Sequence, residues 1–236
     1  MDRPFSIGTA NETSLHAAVK NHIDPDPAHQ EVRLGVHIAD VFNENGVFEI
    51  QTRSFYKLRR KVEQLLAFAP VTVVYPAAAE KRIWWIDPET GDCTGGRKGS
   101  RPATRFTLWH ELPAFGDLFG SPDFSVRMLL LQIDEYRMLD GFGPRKKHRA
   151  THVDRVLREI RDDFTVCVPG DLAALIPAGL EEPFLSRDFA RAARIPLSDA
   201  QGALTMLYRH GLVRRSPHGG RGYEYRLNRP ANDEKP

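Results

Sequence analysis

The spacing of apolar residues changes twice in the first third of the chain. Leu15, Val19 and Ile23 recur at i, i+4 and i+8, which predicts a helix over 12–22 with Asn11 as its N-cap, ended by Asp24-Pro25-Asp26-Pro27. Residues 31–42 read as extended chain, Asn43-Glu44-Asn45-Gly46 as a turn, and 47–51 as a second strand; Asn-Gly between such runs is the strongest short-range hairpin signal. Helical spacing returns over 54–68 with Phe55, Leu58, Val62, Leu65 and Leu66. Pro70 closes that helix, and 71–75 reads as a buried strand. Strand, helix, strand implies a right-handed crossover to a parallel neighbour.

Beyond this the pattern loosens. Residues 82–86 predict a strand, 91–103 a Gly/Lys/Arg-rich loop, 105–119 a helix, 126–133 a strand and 151–161 a helix. From about residue 169 three helical pieces follow, over 170–176, 186–193 and 198–210. After them, 212–215 and 223–226 read as two strands around a Gly219-Gly220-Arg221-Gly222 tip.

If Asn45-Gly46 forms a two-residue turn, 42 faces 49 and 40 faces 51. Alternation then puts Asp40, Phe42, Val47, Glu49 and Gln51 on one face of the hairpin, and Val41, Phe48 and Ile50 on the other. Asp40 lies diagonal to Glu49 at roughly 7–8 Å between backbones, near enough for two carboxylates to converge on one cation. A solvated hairpin face explains the same spacing.

Composition adds bounds. With 41% hydrophobic residues in 236 the chain can bury a core, and its longest apolar run, 71–79, is far short of a membrane span. There is no secretory h-region near the start, and two cysteines give no disulfide framework, so the expected location is the cytoplasm, with no membrane partner. The net charge of +2 hides an asymmetry: 184–229 carries nine arginines against three acids, a local excess of six, which points to a polyanion. A second basic cluster at 145–149 reads as a surface loop. His148, His152 and Asp154, and Trp109-His110-Glu111, fall short of metal motifs.

Asp40, then Glu49-Ile50-Gln51, then a helix and a buried strand resemble the core of the PD-(D/E)XK nuclease superfamily, over about 11–76. The resemblance implies an α/β fold, a restriction-endonuclease-like mixed sheet with flanking helices. It makes Asp40 and Glu49 ligands of Mg²⁺ or Mn²⁺, with Ile50 lending a backbone carbonyl, and matches Glu12 to an additional acid found in some branches. Gln51 stands where the motif has lysine, and Lys57 or Lys20 are the residues that could supply the missing charge. The segment 169–228 resembles a winged helix-turn-helix, which implies double-stranded DNA as partner. Gln201, Thr205 and Arg209 would face the groove, with Asp199 beside them, and Arg214, Arg215, His218 and Arg221 would hold phosphate. Phrases such as Phe48-Glu49-Ile50-Gln51-Thr52 and Val73-Val74-Tyr75-Pro76 are similar to those of uncharacterised bacterial proteins with this architecture, for which a homodimer is a further expectation.

The expected organisation is a nuclease-like core at 1–88, an extension at 89–168, the winged helix at 169–228 and a disordered tail at 229–236. The expected function is a Mg-dependent phosphodiesterase acting on DNA. The alternative, kept open by Gln51, is a non-enzymatic transcriptional regulator or accessory subunit on a degenerate nuclease fold.

Overall fold

The computed structural model describes residues 13–99, 101–141, 150–220 and 222–228. Expectations for Asn11, Glu12, the basic cluster at 145–149, Arg221 and the 229–236 tail lie outside these residues. The fold is mixed α/β, with a seven-stranded sheet, a three-stranded sheet and flanking helices.

Helix α1 (Ser14–Ile23) starts at Thr13, whose side chain accepts from the His16 N–H. Strands β1 (Gln30–Leu34), β2 (His37–Asn43) and β3 (Gly46–Ile50) follow, then helix α2 (Phe55–Leu65). Next come β4 (Val71–Ile86), β5 (Cys93–Lys98), two 3-10 helices at Arg105–His110 and Leu112–Phe115, β6 (Phe124–Met138) and β7 (Thr151–Val166). The large sheet has the order β1-β2-β3-β4-β6-β7, with β5 also on β4. After a 3-10 helix at Pro169–Leu175 come β8 (Phe184–Leu185), α3 (Ser186–Ala193), α4 (Leu197–Arg209), β9 (Val213–His218) and β10 (Gly222–Leu227). The small sheet has the order β8-β10-β9.

Four expectations are corrected. The β2–β3 turn is Glu44-Asn45, because the Asn43 side chain accepts from the Asn45 N–H at 2.9 Å and pulls the turn back one residue. Gly46, at φ +106°, then joins the ladder opposite Asn43. The segment 151–161 is strand, not helix: Val153, Val156, Leu157 and Ile160 imitate a helical period, and pairing with β6 overrides it. The helix expected over 105–119 is two 3-10 turns, since Pro113 cannot continue a helix begun at 105. Finally, β4 runs unbroken through Pro76, whose ring fixes a φ that extended chain accepts, and β5 forms inside the stretch expected to be loop.

The chain divides into two compact units, each assembled from three stretches. The first comprises the chain to Thr52, Val73–Ala103 and Met128–Phe164; the second Arg53–Thr72, Thr104–Arg127 and the chain from Thr165. In the first unit Leu15 and Val19 of α1 pack on Val41, Phe48 and Ile50, with Val74, Leu129, Leu131 and Ile133 continuing the core. The second unit is aromatic: Phe115 meets Phe55 at 5.4 Å and Phe124 at 5.1 Å between ring centroids, and Trp109 packs edge-on to Phe189.

Candidate functional site

In the first unit the β2–β3 ladder pairs Val41 with Phe48 and Phe42 with Val47. The paired segment ends at Val41–Phe48; just beyond it, Asp40 and Glu49 lie on these adjacent strands, and the Ile50 N–H turns to the Asp40 carboxylate. Val41, Phe48 and Ile50 share the α1 side, as alternation predicts, while the Asp40 carboxylate also reaches α1, at His16. Glu49 is not on a solvated face: it is only 3% exposed, within a strand buried along its length. A buried carboxylate costs several kcal/mol unless charge or hydrogen bonds compensate it, so a purely decorative role is disfavoured.

Asp40 is fixed at both oxygens. Its Oδ2 accepts the Ile50 N–H at 2.7 Å, and His16 Nε2 lies 3.5 Å from Oδ1. Ile50 therefore meets Asp40 through its N–H, while Gln51 donates its N–H to Val74 O at 2.9 Å and leads the chain out of β3. One turn along α1 from His16 is Lys20, itself buried, with its ammonium 2.8 Å from Glu31 Oε1. Asp154 of β7 anchors the start of this helix, accepting from both the backbone N–H and the hydroxyl of Ser14. Lys57 is exposed on α2 in the second unit, its ammonium 5.8 Å from the Tyr56 ring. Of the two lysines singled out from sequence, Lys20 is the one in the unit that carries the acids.

No group of three or more His, Cys, Asp or Glu with metal-holding geometry occurs among the described residues. Mg²⁺ binds oxygen and keeps several waters, so a donor set of two carboxylates is within its chemistry.

In the second unit, α3 and α4 are joined by a tight turn with Arg194 at φ +57°, and the β9–β10 hairpin follows α4. Gln201, Thr205 and Arg209 are exposed and share one side of α4. That side is bordered by the second 3-10 helix: with Pro113, Gly116 and His210 these residues line a shallow pocket of about 260 Å³. His210 Nε2 is 2.9 Å from Gly116 O, and the Asp199 carboxylate is 3.2 Å from His110 Nδ1. On the hairpin, Arg215 is sandwiched between Tyr208 and Tyr223, at 4.1 and 4.3 Å from their ring centres. His218 Nδ1 sits 3.3 Å from Glu224 Oε2. Arg214 pairs in register with Arg226, and among the described residues neither arginine has an acidic partner. Like charges directly opposite on a ladder are destabilising, so an external anion is the natural complement.

Sequence reasoning missed three anchoring residues. His16 and Asp154 carried no motif that would signal their partners. Glu111, set aside with Trp109-His110, is buried and accepts the N–H groups of Ser54 and Phe55 at 2.9 and 2.8 Å, capping α2 from a distant part of the chain. Trp109 Nε1 donates to Leu175 O at 2.8 Å.

Residues 13–167 match the family described as a domain of unknown function, DUF8091, and the chain belongs to that family. An uncharacterized protein of Treponema pallidum (strain Nichols) is 29% identical over 235 residues, covering 98% of this chain and 92% of the relative. The family match includes α1 and the β2–β3 hairpin and ends before α3, whereas the similarity to the Treponema protein extends over both. No solved structure matches the chain. Among the described residues, no helix is long and apolar enough to cross a membrane.

Proposed function

We propose that this protein is a DNA-binding, metal-dependent phosphodiesterase with its reactive centre at Asp40 and Glu49. The observation that carries the reading is a buried Glu49 on the strand adjacent to Asp40, whose carboxylate is anchored by the Ile50 N–H of Glu49's own strand. These two carboxylates would hold Mg²⁺ or Mn²⁺. The ion, when bound, polarises the phosphate and lowers the pKa of a coordinated water. Gln51 brings no charge to the departing phosphate oxygens. Lys20, a buried cation one helical turn from the histidine that faces Asp40, fills that role, since a charge in low dielectric acts more strongly than one in water.

The α3–α4 pair, followed by the β9–β10 hairpin that β8 completes into a three-stranded sheet, supports the winged helix-turn-helix reading of 169–228, with double-stranded DNA as its partner. Because Pro113 and Gly116 border the outward side of α4, the contribution of this region is mainly phosphate contact from the hairpin, with Arg214 and Arg226 as its principal cations.

The test is incubation of the full chain with plasmid, linear duplex and single strands in Mg²⁺ or Mn²⁺, beside Asp40→Asn and Glu49→Gln. The asparagine still accepts from the Ile50 N–H, so the fold is spared. Cleavage should disappear in both variants while DNA affinity is retained. Cleavage that survives both places the chemistry elsewhere. DNA binding by the native chain with no cleavage in either metal favours the non-enzymatic regulator on a degenerate nuclease fold.

A further inference from the structure

A cavity of about 460 Å³ in the first unit lies beside β4, within the size range of small-ligand sites. The space exists because β4 carries Pro76-Ala77-Ala78-Ala79, a run of small side chains, where a longer residue would fill it. Its far wall is the segment after β5, held to β4 at two points: the Gly99 N–H donates to Lys81 O at 2.6 Å and the Ala103 N–H to Ala78 O at 2.9 Å. Tyr75, Ala77, Leu131 and Ile133 make an apolar floor.

The rim is cationic. Lys81, Lys98, Arg101 and Arg155 line it, against the single acid Glu80, which is already paired with Arg82 at 3.4 Å. Two of the rim cations are held in place from beneath. The buried Glu135 carboxylate takes Lys81 at 3.0 Å and Arg155 at 3.4 Å, as well as Arg137, so one negative charge faces three positive ones. Arg101 stands at φ +66°, a left-handed conformation that an arginine adopts at a cost.

An apolar floor under a cationic rim is complementary to a nucleotide, whose base has an apolar face and whose phosphate is a strong hydrogen-bond acceptor. We propose that this cavity seats a nucleotide unit of a single-stranded nucleic acid, base against the floor and phosphate on Lys98, Arg101 and the Glu135-held pair Lys81 and Arg155. The proposal rests on the phosphodiesterase reading for its class of ligand, and it assigns the single strand to β4–β5 and the duplex to the β9–β10 hairpin.

The experiment uses the full chain and fluorescence anisotropy with a short labelled single strand and a labelled duplex, over a range of salt, without divalent metal. The probe variant is Lys98→Glu with Arg101→Glu, both exposed and clear of Glu135. Single-strand affinity should fall about tenfold or more, and the log–log salt slope should flatten by about 1.4, two phosphate contacts at roughly 0.7 each. Duplex affinity should hold, and Arg214→Ala should show the reverse pattern. A nucleoside monophosphate should displace the labelled strand at lower concentration than inorganic phosphate. Unchanged single-strand affinity in the double variant would overturn the site, and so would equal competition by inorganic phosphate, because the floor would then read nothing. Failure of the phosphodiesterase reading is separate: it appears as absent cleavage in metal while these binding results stand.

Discussion

Replacing Glu135 by glutamine keeps the side chain's size and removes the one charge that Lys81, Arg137 and Arg155 share. Burial alone would raise this carboxyl above its ordinary 4.5, but hydrogen bonds from Arg137 and Lys81, with their charges, outweigh burial and hold it at about 2. A carboxyl depressed in the folded state stabilises the fold fully above its unfolded pKa and ceases to do so as pH falls through the folded value. The difference between 4.5 and about 2 corresponds to about 3 kcal/mol near neutral pH. Urea unfolding followed by tryptophan fluorescence, to which Trp84 and Trp85 of the same unit contribute, measures this directly. Glu135→Gln should be less stable than the native chain by about 3 kcal/mol at neutral pH, with the gap falling below half of that by about pH 3. Single-strand affinity should weaken too, since two rim cations lose their anchor. A gap that is absent at neutral pH, or that stays constant down to pH 3, would refute the account of Glu135 as the organiser of the cluster.

Glu111→Ala strands the Ser54 and Phe55 N–H groups at the buried start of α2; about 3 kcal/mol should be lost, with glutamine recovering part of it and amide exchange at 54 and 55 accelerating in step. Arg214→Ala should weaken duplex binding and flatten its salt slope by about one unit, yet raise stability by a few tenths of a kcal/mol, because it relieves the like-charge pair with Arg226. Thermal unfolding and anisotropy on the same sample check both signs. Lys20→Met keeps the volume and leaves only the exposed end of the Glu31 pair; the fold should persist while cleavage drops about a hundredfold. Gln51→Lys should raise cleavage, and no change would assign the charge to another residue.

The sequence was most legible where contacts are local. α1, the β2–β3 hairpin, α2, α3, α4 and the final hairpin follow from period and turn residues within a few positions, although the N-cap of α1 is Thr13 and not the expected Asn11. The face shared by Val41, Phe48 and Ile50 was legible too, because alternation survives a change of turn length. The register was not, since it hung on one hydrogen bond that the Asn43 side chain accepts from the Asn45 N–H. β7 escaped because its apolar residues fit both periods and only the edge of β6 decides between them. The burial of Glu49, the anchoring of His16 on Asp40 and the cap from Glu111 all depend on residues far apart in the chain, and composition carries no trace of such pairings.

The interleaving of the two units has a practical meaning for anyone who cuts this gene. The region from 169 onward looks from its sequence like a detachable cassette, yet a fragment beginning there lacks both Arg53–Thr72 and Thr104–Arg127. It would lose Trp109 from Leu175, Gly116 from His210 and His110 from Asp199, leaving one side of α4 bare. Removing the same region leaves α2 and the Trp109–Phe124 aromatics without Phe189 and the rest of their packing. Synthesis meets the same constraint: the first unit waits for Phe164 before its last strand exists, and the second holds its early stretches unfinished until residues beyond Thr165 arrive. Function here is therefore dissected by point substitution in the whole chain, and truncation reports on misfolding.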